Sequence, residues 1–248
     1  MIADGTRSAA TLHHANFDMK NIPAIFREPA MHGKARRLLT LLAACAAACI
    51  FSGCAGGVKN TSRTFSGVVL DAGHGGHDSG TTSRYAGREK DATLDVVMRL
   101  RPKVQSAGFH TVMTRSNDTF IPLATRAAIS NRQSNVIFVS VHFNDTRRSG
   151  IRGTEVYYTS QCSADIARNI LNQVIAIPGA TSRGIHTANF AVLRRALYPA
   201  VLVECGYFSN PIEGRRCADG AYREQLAAAI ARGILIQRRG AGAMLAAE

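Results

Sequence analysis

The chain has 248 residues, of which 46% are hydrophobic, and a formal net charge of +13 at pH 7. The part that follows a predicted signal, residues 54–248, contains 195 residues, which is enough for one domain with a substantial core and too few for two large ones. That part holds 24 Lys and Arg against 14 Asp and Glu, a net charge of +10. The basic excess favours an anionic partner, and a basic surface that only confers solubility remains the alternative.

Residues 31–53 have the pattern of a secretion signal. A basic stretch at 34–37 precedes an apolar run of 13 residues, 38–50, which is too short to span a bilayer. Small residues before Cys54 resemble the lipobox of bacterial lipoproteins, which implies cleavage before Cys54 and acylation of its thiol; an ordinary signal peptide cut nearby is the alternative. Ala55 lacks the aspartate that often retains lipoproteins at the inner membrane, which favours the periplasmic face of the outer membrane if the cell has one.

The remaining segments follow from the position of this signal. Residues 1–30 carry no periodic pattern and are predicted to be an unstructured extension, or Met31 is the true start. Residues 54–64 are predicted to be a polar tether, 65–238 the folded domain, and 239–248 a flexible tail. An exported, membrane-anchored chain is not expected to meet nucleic acid. Cell-wall polymer, whose stem peptides carry carboxylates, is therefore the anionic partner that the charge favours.

Cysteines give little support for a sulfur-ligated metal site. Cys45 and Cys49 would be removed with the signal. Apart from the lipidation site Cys54, this leaves Cys162, Cys205 and Cys217, all in the folded domain. No pair has CxxC spacing, which argues against a cysteine zinc site. A Cys162–Cys217 disulfide stays open as a possibility in an oxidising compartment.

Strands alternate with helices along the folded domain. Several predicted strands are apolar on both faces, which is typical of parallel strands that are covered by helices. The pattern predicts an α/β fold, with a largely parallel twisted sheet covered by helices on both faces of a single domain. Strands are predicted at 65–71, 109–114, 135–141, 153–159, 191–193 and 200–205, and helices at 89–107, 122–133, 163–175 and 221–237.

Chemically capable side chains follow three of these strands and begin one helix. His74 lies on a glycine-rich turn after the first strand, His142 ends the run 136–141, and Glu204 follows 200–203. Glu89 begins a helix, where the helix dipole alone would favour an acid. The carboxyl ends of parallel strands open the clefts of α/β proteins, so these four residues are expected to meet.

Each of these residues also has a structural interpretation. A lone histidine at a strand end is often a satisfied core residue, and a buried Glu204 could be an ion-pair partner of Arg115, Arg126 or Arg183. Taken together, two histidines, one glutamate and an open position are typical of a catalytic zinc site, and a further carboxylate can move the proton. No short motif such as HExxH is present, so spacing alone does not name the metal.

The motifs of residues 65–233 resemble those of the zinc-dependent N-acetylmuramoyl-L-alanine amidases of the amidase-3 family. The matching segments occur in the family's order at 70–76, 87–90, 113–115, 123–126, 140–144, 153–157, 182–184, 191–193 and 203–210. The resemblance implies that His74, Glu89 and His142 are zinc ligands and that Glu204 is the catalytic carboxylate. It implies cleavage of the amide between N-acetylmuramic acid and the L-alanine of the stem peptide in peptidoglycan.

Two departures from the family bear on function. Residues 91–94 read Asp-Ala-Thr-Leu, where the family often has asparagine before the leucine. Division-linked relatives carry a long insertion after the Tyr157 strand that blocks the zinc, whereas here only residues 160–163 separate that strand from the next helix. The sequence therefore predicts an active site that is open without an activator protein.

The sequence also offers candidate substrate-binding residues, further histidines and alternative functions. Arg183 and Asn144 are candidate substrate-binding residues, His77 is predicted to face water, and His110 and His186 are predicted to be structural. Another zinc peptidase or a deacetylase acting on cell-wall material, a wall-binding lipoprotein without activity and a glycosidase with paired carboxylates are the alternatives. Their products, their ligand sets or their response to chelation would distinguish them.

Overall fold

A six-stranded mixed sheet forms the centre of the computed structural model, which describes residues 57–240. Its strands are β1 Gly67–Ala72, β4 His110–Met113, β5 Val136–Asn144, β6 Thr154–Tyr158, β7 Ser182–Thr187 and β8 Ala200–Tyr207; the short strands β2 Thr82–Ser83 and β3 Gly87–Arg88 form a separate hairpin. The six strands lie in the order β4-β1-β5-β8-β6-β7. Strands β4, β1, β5 and β8 are mutually parallel, while β6 runs antiparallel to β8 and parallel to β7.

Helices cover both faces of the sheet, as the sequence predicts. They are α1 Glu89–Ser106, α2 Leu123–Asn131, α3 Ala164–Ile175, α4 Ala191–Arg194, α5 Pro211–Ala218 and α6 Gly220–Arg239, with a 3₁₀ turn at Gln161–Ser163. Within the described residues, no helix combines the length and apolarity needed to cross a bilayer. The predicted signal, the lipidation site Cys54 and residues 241–248 lie outside the described part of the chain.

Strand β1 shows how the sheet acquires two apolar faces. Val68 and Leu70 point into the larger core cluster, and Val69 between them points into the smaller one, as the two-residue period of a strand requires. The larger cluster packs the sheet against three long helices through Val96 and Leu100 of α1, Ile166 and Ile170 of α3, and Leu226 and Ile230 of α6. The smaller cluster lies beside α4, through Val192 and Leu193.

The prediction of a strand at 191–193 is wrong, because this segment forms most of helix α4. Three apolar residues are too few to distinguish a helical from an extended period. Strand β7 was not predicted, since its residues are mostly polar and exposed at the edge of the sheet. Helix α5 was also missed, although Asn210 caps its first amides and Pro211 occupies its first turn, which are standard signals of a helix start.

The three described cysteines are free thiols. Cys205 and Cys217 are buried, and Cys162 is half-buried beside the hydroxyl of Ser160. Within residues 57–240 the structure therefore contains no Cys162–Cys217 disulfide.

A fully buried carboxylate, Asp71, joins four elements at the end of β1. Its Oδ1 accepts hydrogen bonds from Thr114 Oγ1 at 2.6 Å and Arg126 Nη1 at 2.8 Å, and its Oδ2 accepts one from Ser140 Oγ at 2.6 Å. Thr114 follows β4, Ser140 lies in β5 and Arg126 lies in α2. The buried charge is thus paired and hydrogen-bonded, the condition under which burial of a carboxylate is tolerated.

Replacing Arg126 by Met should strongly destabilise the protein, because it leaves the Asp71 carboxylate buried without its counter-ion. We expect a loss of about 3–5 kcal/mol in the free energy of unfolding, measured by urea denaturation. Arg168→Met is the control, since Arg168 forms an exposed ion pair with Asp165 and such pairs contribute little. Equal stability of the two variants would contradict the structural role of Arg126.

Candidate metal centre and active-site cleft

The loop after β1 presents His74 in an unusual backbone conformation. His74 has a φ of 60°, a left-handed value that side chains with a Cβ rarely adopt. Two buried arginines hold the loop: Arg126 Nη2 donates to the carbonyl of His74 at 2.6 Å, and Arg115 donates to those of Ala72 at 2.9 Å and Gly73 at 2.7 Å. These bonds supply hydrogen-bond donors to the backbone carbonyls of residues 72–74 and so fix the path of the loop.

His74, Glu89 and His142 converge as the sequence predicts. One potential ligand atom of each lies within 4.8 Å of the others. Glu89 Oε1 lies 3.0 Å from His74 Nε2 and 2.9 Å from His142 Nδ1, and backbone amides of Thr81 and Phe143 also donate to this carboxylate at 2.9 and 3.1 Å. Together these groups form a compact set of two imidazole nitrogens and one carboxylate.

The electrostatics of the group keep Glu89 ionised. Burial raises the pKa of Glu89, but hydrogen bonds and charge from His142 and His74 outweigh it and hold this pKa well below its usual range. Burial likewise lowers the pKa of His74 and of His142, and the hydrogen bond and charge of Glu89 reverse this, so both pKa values are raised. The ionised Glu89 thus favours positive charge on the two imidazoles beside it.

Asp78 is a candidate functional residue that the sequence analysis missed. Its Oδ2 lies 2.9 Å from His74 Nδ1, so it orients the ring and leaves Nε2 to face Glu89 and His142. Metal-binding histidines commonly bond a carboxylate through the second ring nitrogen. The signal in the sequence was an acidic residue four positions after His74, on the same glycine-rich loop.

Glu204 lies on β8 directly opposite His142 of β5. Its Oε2 is buried and has no hydrogen-bond partner within the described residues. Burial is the main reason that the pKa of Glu204 rises to about 7; the charge of His142 opposes the rise. A carboxyl with such a pKa can both accept and donate a proton near neutrality.

The ion-pair interpretation of Glu204 is wrong. Arg126 pairs with Asp71, Arg183 pairs with Glu155, and Arg115 donates to backbone carbonyls. Each of the three arginines considered from the sequence is therefore engaged elsewhere.

The candidate substrate-binding residues Asn144 and Arg183 meet at Glu155. This carboxylate accepts hydrogen bonds from Arg183 Nε at 2.7 Å, Asn144 Nδ2 at 2.8 Å, Tyr157 Oη at 2.9 Å and Tyr207 Oη at 3.1 Å. Asn144 lines the cleft, whereas Arg183 is not among the residues lining it. A role of either residue in substrate binding stays a prediction.

The other described histidines, His77, His110 and His186, lie apart from His74, Glu89 and His142, the candidate metal ligands that we call the metal group. His77 is exposed, as predicted, and its ring packs on Phe120 at a centroid distance of 4.1 Å. His186 lies against Tyr157, and His110 is exposed at the start of edge strand β4.

A cavity of about 630 Å³ opens above the metal group. Its lining contains His74, Glu89, His142 and Glu204 together with several apolar residues. The volume lies within the range of small-molecule sites, roughly 300–1,000 Å³. The apolar part of the lining consists of Phe120, Ile121, Leu123, Phe190, Ala191, Val192 and Leu202, with Phe143.

Comparison with known proteins identifies the family. The amidase-3 family model, described as N-acetylmuramoyl-L-alanine amidase, matches residues 68–235, and the chain belongs to this family. The chain is 34% identical over 172 residues to the probable cell wall amidase LytH of Staphylococcus aureus, covering 68% of this chain and 57% of LytH. It is 31% identical over 167 residues to the N-acetylmuramoyl-L-alanine amidase LytC of Bacillus subtilis, covering 66% of this chain and 34% of LytC.

Solved structures show the same architecture. The structure of the N-acetylmuramoyl-L-alanine amidase AmiC2 of Nostoc punctiforme superposes with a TM-score of 0.66 at 38% identity, covering 68% of this chain and 94% of AmiC2. The predicted α/β fold is therefore confirmed. The chain spans about a third of the length of LytC and just over half of the length of LytH.

A methyl group at Gly80 should displace the metal ligands. A Cβ there would lie 2.6 Å from both Glu89 Oε2 and His74 Cδ2, whereas one at Gly87 would meet nothing within 4 Å. Both glycines have positive φ, +61° and +78°, so Gly80→Ala and Gly87→Ala share the backbone strain and differ in the contact. We expect Gly80→Ala to weaken Zn²⁺ binding about 10–100-fold relative to Gly87→Ala in a chelator competition assay. Equal affinities would contradict the geometry of the site.

Replacing Glu204 by Gln should alter how the stability of the metal-free protein depends on pH. The pKa of Glu204 rises from 4.5 to about 7 on folding, so the folded protein retains a proton that the unfolded chain releases in this window. Wild-type stability therefore falls as the pH rises from 4.5 to 7, and Glu204→Gln lacks this contribution. Between pH 4.5 and pH 8 we expect the free energy of unfolding of the variant to rise by on the order of 3 kcal/mol relative to that of wild type, as measured by urea unfolding. A difference that does not change with pH would contradict a buried, unpaired carboxyl.

Proposed function

We propose that the protein is a zinc-dependent N-acetylmuramoyl-L-alanine amidase that acts on peptidoglycan. The observation that carries the proposal is the His74, Glu89 and His142 group in the lining of a cleft, next to the unpaired carboxyl of Glu204. Family membership gives independent support. The reaction is hydrolysis of the amide between the lactyl group of N-acetylmuramic acid and the L-alanine of the stem peptide.

The residues present fit a catalytic zinc ion. Two imidazoles and one carboxylate are a common zinc ligand set, and three protein ligands leave a fourth position for water or substrate. The hydrogen bond of Asp78 to His74 supplies the outer partner that such sites use. When bound, Zn²⁺ supplies Lewis acidity toward a water molecule and the scissile carbonyl.

Glu204 moves the proton in this proposal. Its carboxylate accepts a proton from the attacking water, and the resulting carboxylic acid gives that proton to the leaving amine of L-alanine. The buried Oε2 has no competing hydrogen-bond donor among the described residues, so it is available for this transfer. His74, Glu89 and His142 are held by the protein and stay in place as ligands.

The active site is proposed to be open without an activator. Strand β6 ends at Tyr158, and the 3₁₀ turn that precedes α3 begins at Gln161. The two residues between them leave no room for an inserted helix at that point. The cleft that contains the metal group supports the same proposal.

Attachment to a membrane through lipidated Cys54 is also proposed, with the catalytic domain exported and facing the cell wall. The support is the signal pattern of residues 31–54 and the similarity to the probable cell wall amidase LytH. Ala55 in place of aspartate favours the outer membrane. Peptidoglycan is the proposed partner, and the net charge of +10 suits its acidic stem peptides.

Digestion of purified peptidoglycan by the purified full chain tests the proposal. We expect free stem peptides with an L-alanine amine and intact muramyl glycan, identified by mass, without any added protein. Release should stop with a zinc chelator and return with Zn²⁺. A zinc peptidase or a deacetylase would give different products. Release of stem peptides that continues in the presence of the chelator would refute the zinc dependence.

Glu204→Gln is the decisive variant in this assay, because it should keep the fold and zinc while losing turnover. We expect a fall of at least about 100-fold in kcat, as for removal of a general base. Glu224→Gln, which affects only an exposed ion pair with Arg99 and Lys103, is the matched control and should keep wild-type turnover. Substantial activity of Glu204→Gln with bound zinc would reject its role.

A further inference from the structure

Three exposed apolar side chains line the cleft, and we refer to them as the phenylalanine wall. Phe120, Leu123 and Phe190 are 37%, 57% and 39% exposed and all line the cavity that contains the metal group. They are three of the six large hydrophobic residues exposed in the described part of the chain. Clustered apolar exposure of this kind marks a ligand groove rather than an ordinary protein surface.

Both phenylalanine rings are supported by a second aromatic ring. The ring of His77 lies 4.1 Å from that of Phe120, and the ring of Tyr157 lies 5.1 Å from that of Phe190. Tyr157 is itself fixed by its hydrogen bond to Glu155. The side chains of the phenylalanine wall are therefore preorganised in the free protein, which reduces the entropy lost on ligand binding.

A basic segment of the chain follows two residues that line the cleft. Asn144 and Asp145 line the cleft, and the exposed arginines Arg147, Arg148 and Arg152 follow them in the segment after β5. A stem peptide with carboxylates matches this basic segment and not the phenylalanine wall. A pyranose ring has C–H groups that carry slight positive charge, and these suit the negative face of an aromatic ring.

We infer that Phe120 and Phe190 form a sugar subsite that binds the N-acetylmuramic acid ring of the substrate. This inference rests on the proposed function. The subsite fixes the direction of the substrate in the cleft, with the glycan against the phenylalanine wall and the peptide toward the segment after β5. The scissile amide then lies over the metal group and Glu204.

Two substrates with the same scissile amide test the inference. One is N-acetylmuramyl-L-alanyl-D-glutamate, and the other is D-lactoyl-L-alanyl-D-glutamate, which lacks the sugar. For the full-length protein with zinc, we expect Phe190→Ala and Phe120→Ala to lower kcat/KM for the sugar substrate about tenfold, mainly through KM. The lactoyl substrate should change less than twofold.

Two further variants separate stacking from general effects. Phe190→Leu keeps an apolar side chain without an aromatic face and should lose most of the sugar preference. Ile212→Ala removes another exposed apolar side chain, 59% exposed and outside the cleft lining, and should leave both substrates unaffected. An equal loss on both substrates, or no loss on either, would overturn the sugar subsite.

A binding measurement separates this inference from the proposed function. Saturation-transfer NMR with the disaccharide N-acetylglucosaminyl-N-acetylmuramic acid should show contact with the sugar C–H groups in wild type, and the contact should weaken in both alanine variants. If wild type cleaves neither substrate, the proposed function fails while this measurement still decides the subsite. If the variants instead lose binding to anionic phospholipid vesicles and keep sugar contact, the wall faces a membrane and the inference is wrong.

Discussion

The buried carboxylate of Asp71 connects the framework of the sheet to the loop that carries His74. Thr114, Ser140 and Arg126 satisfy its oxygens, and Arg126 then holds the carbonyl of His74. A charge in this position would be costly without these partners, so the same bonds that make it tolerable also fix the relative positions of β1, β4, β5 and α2. The position of His74, a proposed metal ligand, is thereby tied to the core rather than to the loop alone.

Two buried glutamates in the same cleft have opposite electrostatic environments. Glu89 accepts bonds from two histidines and two backbone amides, which hold its pKa low and keep it charged. Glu204 has no such donors for Oε2, and its pKa rises to about 7. Environments that separate the pKa values of neighbouring carboxyls suit them to different tasks, and in the proposed mechanism Glu89 is a ligand and Glu204 carries the proton. The difference arises from the groups that surround each carboxyl, because both residues are glutamates.

The sequence predicted most of the sheet and the central residues of the site. Strands with continuous apolar runs, such as 136–141 and 200–203, were predicted because burial on both faces leaves a clear pattern, and His142 and Glu204 were then placed at their ends. The edge strand Ser182–Thr187 lacks that pattern, since its side chains face water. The spacing of four residues makes Asp78 a candidate partner of His74, but their contact depends on the path of a glycine-rich turn, which the spacing alone does not give. That Glu204 lacks a partner could be established only when the arginines had been placed.

The left-handed backbone at His74 has an evolutionary consequence. Glycine adopts this conformation freely, whereas a histidine there costs on the order of 1 kcal/mol, so selection for stability alone would favour glycine at this position. Selection for the proposed metal binding would oppose that drift, because glycine has no side chain that could bind a metal. A descendant domain that retained this fold but no longer cleaved its substrate would be free to exchange the histidine for glycine. The residue at this single turn therefore records which of the two pressures has acted on a lineage.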